Sequence, residues 1–221
     1  MRLLPCILLL SALAQAAEPV RCPDGPSRLA MEQGEYMSRP GLVFGLQHFS
    51  ANMVPRGKKL PICLSKITDI DHGRVVVSDS SLSTMFNQKM KRSPKQSISD
   101  ISVHTKSDGV AIKGKVHKKI AVPFEIDGHV DTANGGRVLR LHAEKIKAMG
   151  LPVKGLLKML GVELGSLINP DATKGVSVQG DSILFDPEQL DNIRGHITKV
   201  QIMQSALVVD FAPLRKLAQS K

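Results

Sequence analysis

Asp127, His129 and Asp131 alternate along one extended run, and a carboxylate, an imidazole and a second carboxylate on one face are the residue types that bind a metal ion or move a proton. Their spacing argues against it. Residues two apart on a strand stand nearly 7 Å apart, wider than ligands about 2 Å from a zinc ion conveniently allow, so a solvated polar face is expected. His104, His117 and His142 are scattered without HExxH or similar spacing, which predicts surface residues. No GxSxG occurs, and Gly165-Ser166-Leu167 falls late in an apolar segment without a strand–turn–helix setting. Gly135-Gly136 lacks the further glycines of a nucleotide loop and signals a hairpin. No catalytic residue, metal or cofactor is therefore expected, and the chain is read as a binding protein, not an enzyme.

Charge is the next source of chemistry. Thirty basic against twenty acidic residues give a net charge of +10, with lysines grouped at Lys113, Lys115, Lys118 and Lys119, around Lys89 to Lys95, and from Lys145 to Lys158. The absence of Trp, with a single Tyr and six Phe, counts against a base-stacking platform, and no nucleic-acid recognition motif is present. An anionic membrane surface fits better, because each basic residue near one contributes about 1 kcal/mol of attraction. Lys113, Lys115, Lys118 and Lys119 are the predicted headgroup-facing residues; no protein partner can be named.

Residues 1–17 carry Arg2, an apolar stretch from Leu3 to Leu13 and the small-residue site Ala14-Gln15-Ala16, the pattern of a cleavable secretory signal. The expected address is periplasmic or secreted. With Cys6 in the leader, Cys22 and Cys63 are left, and in an exported chain they pair most simply as a disulfide, closing a loop worth roughly 3 to 4 kcal/mol. Two free thiols or an intermolecular bridge are the alternatives. Residues 18–60, rich in Gly, Pro and charge, read as an irregular lead-in, and residues 61–221 as the main domain.

The elements that must position any site follow from periodicity. Asp79-Ser80-Ser81 offers a cap to a helix with Leu82, Met85, Phe86 and Met90 on one face, ended by Lys91-Arg92-Ser93-Pro94. From Val110 to Val130 the even positions are apolar or glycine apart from Lys118. A flat strand of that length would run about 70 Å in a body roughly 45 Å across, so it is expected to curve at Gly114, Pro123 or Gly128. Asn134-Gly135-Gly136 turns it into a returning strand from Arg137 to Ala143. A wide apolar stripe from Pro152 to Ile168 predicts a helix lying in the concavity of that curved sheet. Strands at 175–179, 182–185, 194–203 and 206–211 complete it.

The segments Lys113-Gly114-Lys115-Val116, Ile120-Ala121-Val122-Pro123-Phe124 and the run from Gly136 to Leu157 resemble bacterial LmeA-like phospholipid-binding proteins of the tubular lipid-binding (TULIP) superfamily, which includes bactericidal permeability-increasing protein. The resemblance spans approximately Leu60 to Phe211. It implies an α+β fold, a long, strongly curved antiparallel sheet wrapped around a long amphipathic helix, with phospholipid or another acyl-bearing lipid held between them. The expected groove is lined by Ile112, Val116, Ile120, Val122, Phe124 and Ile126 opposite Leu156, Leu157, Leu160 and Leu164. Periodicity alone is equally compatible with a dry core in a structural protein of the cell envelope.

Overall fold

A computed structural model describes residues 26–55, 66–91, 98–117, 121–148, 151–152 and 174–213. Two antiparallel sheets carry nearly all of them. β1 (Ser27–Arg39), β2 (Leu42–Pro55) and β3 (Lys66–Ser78) form one half of the first sheet. β4 (Ile98–Lys106), β5 (Gly109–His117), β6 (Ala121–Ala133) and β7 (Val138–Ala148) form most of the second. The second sheet ends with β8 (Leu151–Pro152), β9 (Val176–Gln179) and β10 (Ser182–Phe185), and β11 (Ile193–Arg194), β12 (His196–Met203) and β13 (Ala206–Ala212) complete the first. The strand orders are β1-β2-β3-β13-β12, with β11 on β3, and β4-β5-β6-β7-β10-β9, with β8 on β7. Two short helices, α1 (Asp79–Lys91) and α2 (Pro187–Asp191), accompany them.

The fold class inferred from the sequence is therefore corrected: the described residues form two sheets enclosing a core, not one strongly curved sheet wrapped around a long amphipathic helix. Pro152, the expected start of that helix, pairs with Lys147 as part of β8. Its remaining residues, with Leu156, Leu157, Leu160 and Leu164, lie outside the described residues, as do the leader, Cys22 and Cys63.

The supposed single strand from Val110 to Val130 is a hairpin. Val110 pairs with Gly128, Ile112 with Ile126, Gly114 with Phe124 and Val116 with Val122. Each pair is symmetric about residue 119, so even positions face even positions and the two-residue period runs through the turn unbroken. Lys118, the one lysine at an even position, falls in the connection. Folding the run in half also removes the length problem that had demanded a curved strand.

The stretch expected to be an irregular lead-in is corrected as well, because β1 and β2 pair along nearly their whole length. β1 reads weakly as a strand because it is an edge that exposes alternate residues, and its glycine and proline mark the turn, where Pro40-Gly41 (φ 75°) precedes β2. Leu42, Phe44 and Leu46 then alternate into the core.

The helix predicted after Asp79 is present as α1, but its cap is one residue earlier: Ser78 Oγ accepts the Ser81 N–H at 3.2 Å. Asp79 is thereby released for another task. Its carboxylate accepts the Thr105 N–H at 3.1 Å, while Ser83 Oγ accepts the Val103 N–H and Asn87 Oδ1 the Ile101 N–H, both at 2.9 Å. Four helical residues rise about 6 Å and two strand residues about 6.6 Å. A polar stripe at i, i+4 and i+8 thus serves every second amide of the edge strand β4, leaving Leu82 and Phe86 to face the core.

Candidate functional site

The two sheets do not pack shut. Between their inner faces lies a cavity of about 500 Å³ whose walls are mostly aliphatic and phenylalanine side chains. The first sheet contributes Phe44, Leu46, Ile70 and Val209, the second Val103, Val110, Ile112 and Leu141, and the helices Leu82, Phe86 and Leu190. The alternation of β2, β3, β5 and β7 delivers these side chains, since every second residue of each strand points inward.

Its polar lining gathers near one region. Asp191, at the end of α2, is paired with Arg39 and its side chain is only 4% exposed. Lys89 of α1 donates to the Gln189 and Leu190 carbonyls at 2.9 and 2.8 Å, tying down the C-terminal end of α2. Close by in the lining, Lys66 Nζ donates a hydrogen bond to the Tyr36 hydroxyl and stands 5.1 Å from the ring centroid. Tyr36 pairs with Phe44 and Lys66 with Pro55, near opposite ends of β2. They meet because β2 and β3 bend at register shifts between Gln47 and Ala51, where His48 has φ 45° and Gly73, φ 134°, is pressed against Phe49.

Of the groove residues predicted from sequence, Ile112 lines the cavity, Ile126 is buried in the adjoining core, Val116 and Phe124 pack against it, and Val122 is half-buried. Ile120 lies outside the described residues. The walls supplied by β2 and β3 were not foreseen. Their signal was present in the alternation of Leu42, Phe44 and Leu46 and of Val75 and Val77, but the first was assigned to a lead-in.

The outer face of the second sheet is different in kind. Lys113 meets Glu125 at 3.3 Å, Lys147 meets Glu125 at 3.2 Å, and Lys115 meets Asp100 at 3.0 Å. A hydrogen bond from Lys147 holds the Glu125 carboxyl below its ordinary range, and one from Lys115 does the same for Asp100. Lys113 and Lys115, two of the predicted headgroup-facing lysines, are thus engaged with carboxylates; Lys118 and Lys119 lie outside the described residues.

The Asp127, His129 and Asp131 trio is dispersed among three cross-strand contacts. Asp127 lies 3.8 Å from Lys147, His129 Nδ1 3.0 Å from Glu144, and Asp131 2.8 Å from Arg140. The Arg140 hydrogen bond holds Asp131 below the ordinary aspartate range. Among the described residues, no three His, Cys, Asp or Glu side chains are placed to hold a metal ion, and no helix is long and apolar enough to cross a membrane. No protein-family model, curated protein or solved structure matches this chain.

Proposed function

We propose that this protein is an exported, non-catalytic lipid-binding protein that holds an acyl chain between its two sheets, for carriage or for maintenance of the cell envelope. The observation that carries the reading is the apolar cavity of about 500 Å³, within the range of about 300–1,000 Å³ typical of small-molecule sites. An empty void costs about 24 cal/mol per Å³, and apolar walls give water few hydrogen bonds. An acyl chain removes that cost: each buried methylene contributes about 0.8 kcal/mol, so sixteen carbons gain on the order of 12 kcal/mol before entropy is charged. The positive balance of the whole chain favours encounter with anionic lipid surfaces. Lys113 and Lys115 contribute little to that attraction, since each has a carboxylate beside it.

Native mass spectrometry of the protein from its source membrane or envelope fraction, followed by organic extraction, tests the reading. A stoichiometric acyl-bearing molecule is expected. A ligand-free mass together with no uptake from offered liposomes would overturn it and leave the two sheets with a purely structural role.

A further inference from the structure

Lys66 differs from the cations held by carboxylates. Arg39 is spent on Asp191, Lys113 on Glu125 and Lys115 on Asp100. Among the described residues, Lys66 Nζ has no carboxylate within 4 Å; its partner is the neutral Tyr36 hydroxyl. An ammonium has three protons and this contact uses one, while a phenol that accepts through oxygen still has its own proton to donate. Among the described residues, two N–H groups and one O–H are therefore available in the lining of a largely apolar cavity.

Away from this pair the walls are mostly aliphatic and phenylalanine side chains, which suit an acyl chain. We propose that Lys66 and Tyr36 form an anion-binding subsite in the lining of the cavity, and that the ligand is an amphiphile with an anionic head, a carboxylate or a phosphate ester. This rests on the acyl-chain reading of the cavity and specifies which lipid class it takes.

The test uses displacement of the neutral fluorescent probe N-phenyl-1-naphthylamine, which reports cavity occupancy independently of charge. Competitors are myristate, 1-myristoyl-lysophosphatidylglycerol, tetradecanol and dimyristoyl-phosphatidylglycerol. The anionic amphiphiles should displace the probe at lower concentration than tetradecanol, and the better of myristate and the lysolipid identifies the head as carboxylate or phosphate. Lys66→Met should weaken both by about tenfold or more, the size of a lost charge-assisted hydrogen bond, and leave tetradecanol unchanged. Lys66→Arg should restore them, and Tyr36→Phe, which removes only a hydroxyl, should weaken them by a smaller factor.

Anion binding unaltered in Lys66→Met and Tyr36→Phe would overturn the subsite while leaving the cavity reading intact. Failure of the wild-type protein to take up either the probe or any amphiphile would overturn the acyl-chain reading itself.

Discussion

The two faces of the β5–β6–β7 segment are built from the same alternating strands and obey opposite rules. Outside, lysine, arginine, histidine, glutamate and aspartate sit opposite one another and pair across strands, so that a face rich in charge carries little unopposed charge. Inside, Val110, Ile112 and Leu141 leave space in place of contact. In the lining of that space, Lys66 has no described carboxylate within 4 Å and meets the Tyr36 hydroxyl. Cross-strand pairing, not lysine content, decides where a positive potential survives, and the strands enclose a volume only because the opposing sheet is held away from them.

The most damaging way to break this contrast is at the register shift between β6 and β7. Gly128 sits at the register shift opposite Ala143, and a Cβ there would collide with the His142 carbonyl. Gly128→Val should cost more than about 3 kcal/mol, seen as loss of the cooperative transition in urea. Next comes the brace between α1 and β4. Asn87→Leu leaves the Ile101 N–H and carbonyl without their side-chain partner and should cost about 1–3 kcal/mol, with faster hydrogen exchange at Ile101 than at Ile126.

Filling the cavity sharpens the comparison from the inside. Ile112→Phe should leave the melting temperature nearly unchanged while reducing probe or acyl uptake by about tenfold, some 1.4 kcal/mol; undiminished uptake would remove Ile112 from the site. On the outer face, replacing Lys115 and Asp100 together with Met and Asn should alter attachment to anionic liposomes only slightly, because the pair removed is neutral as a whole.

The smallest effect is a pH dependence. The hydrogen bond from Arg140 lowers the Asp131 pKa from its ordinary 3.8, so the pair's contribution to stability is fully present above that value and is lost as pH falls through the lower folded value. Wild type and Asp131→Asn should therefore differ slightly at pH 7 and converge at about pH 2 in thermal melts. A difference that persisted there would assign the effect to packing.

The turns between β6 and β7 and between β9 and β10 were legible because their local signals agree. Asn134-Gly135-Gly136 with φ of 51°, 63° and 76°, and Gly180 between β9 and β10, are turn residues whose backbone demands are local. The reversal of direction between β5 and β6 was not legible. Pairing about residue 119 keeps the parity of buried positions, so periodicity cannot distinguish a long strand from a hairpin. β1 and β2 were missed because an edge strand needs only one apolar face, and glycine with charge on the other reads as loop.

By itself, the amino-acid sequence determined which residues alternate and that a helix follows Ser78 and stops near Lys91, because these follow from interactions spanning a few residues. The tertiary structure decided the partners. The carboxylates that oppose the outer lysines come from neighbouring strands, the walls of the cavity from both sheets, and the meeting of Lys66 with Tyr36 from a bend in β2 and β3. Charge neutralisation and enclosed volume depend on distances between segments far apart in the chain, which no local pattern of residues specifies.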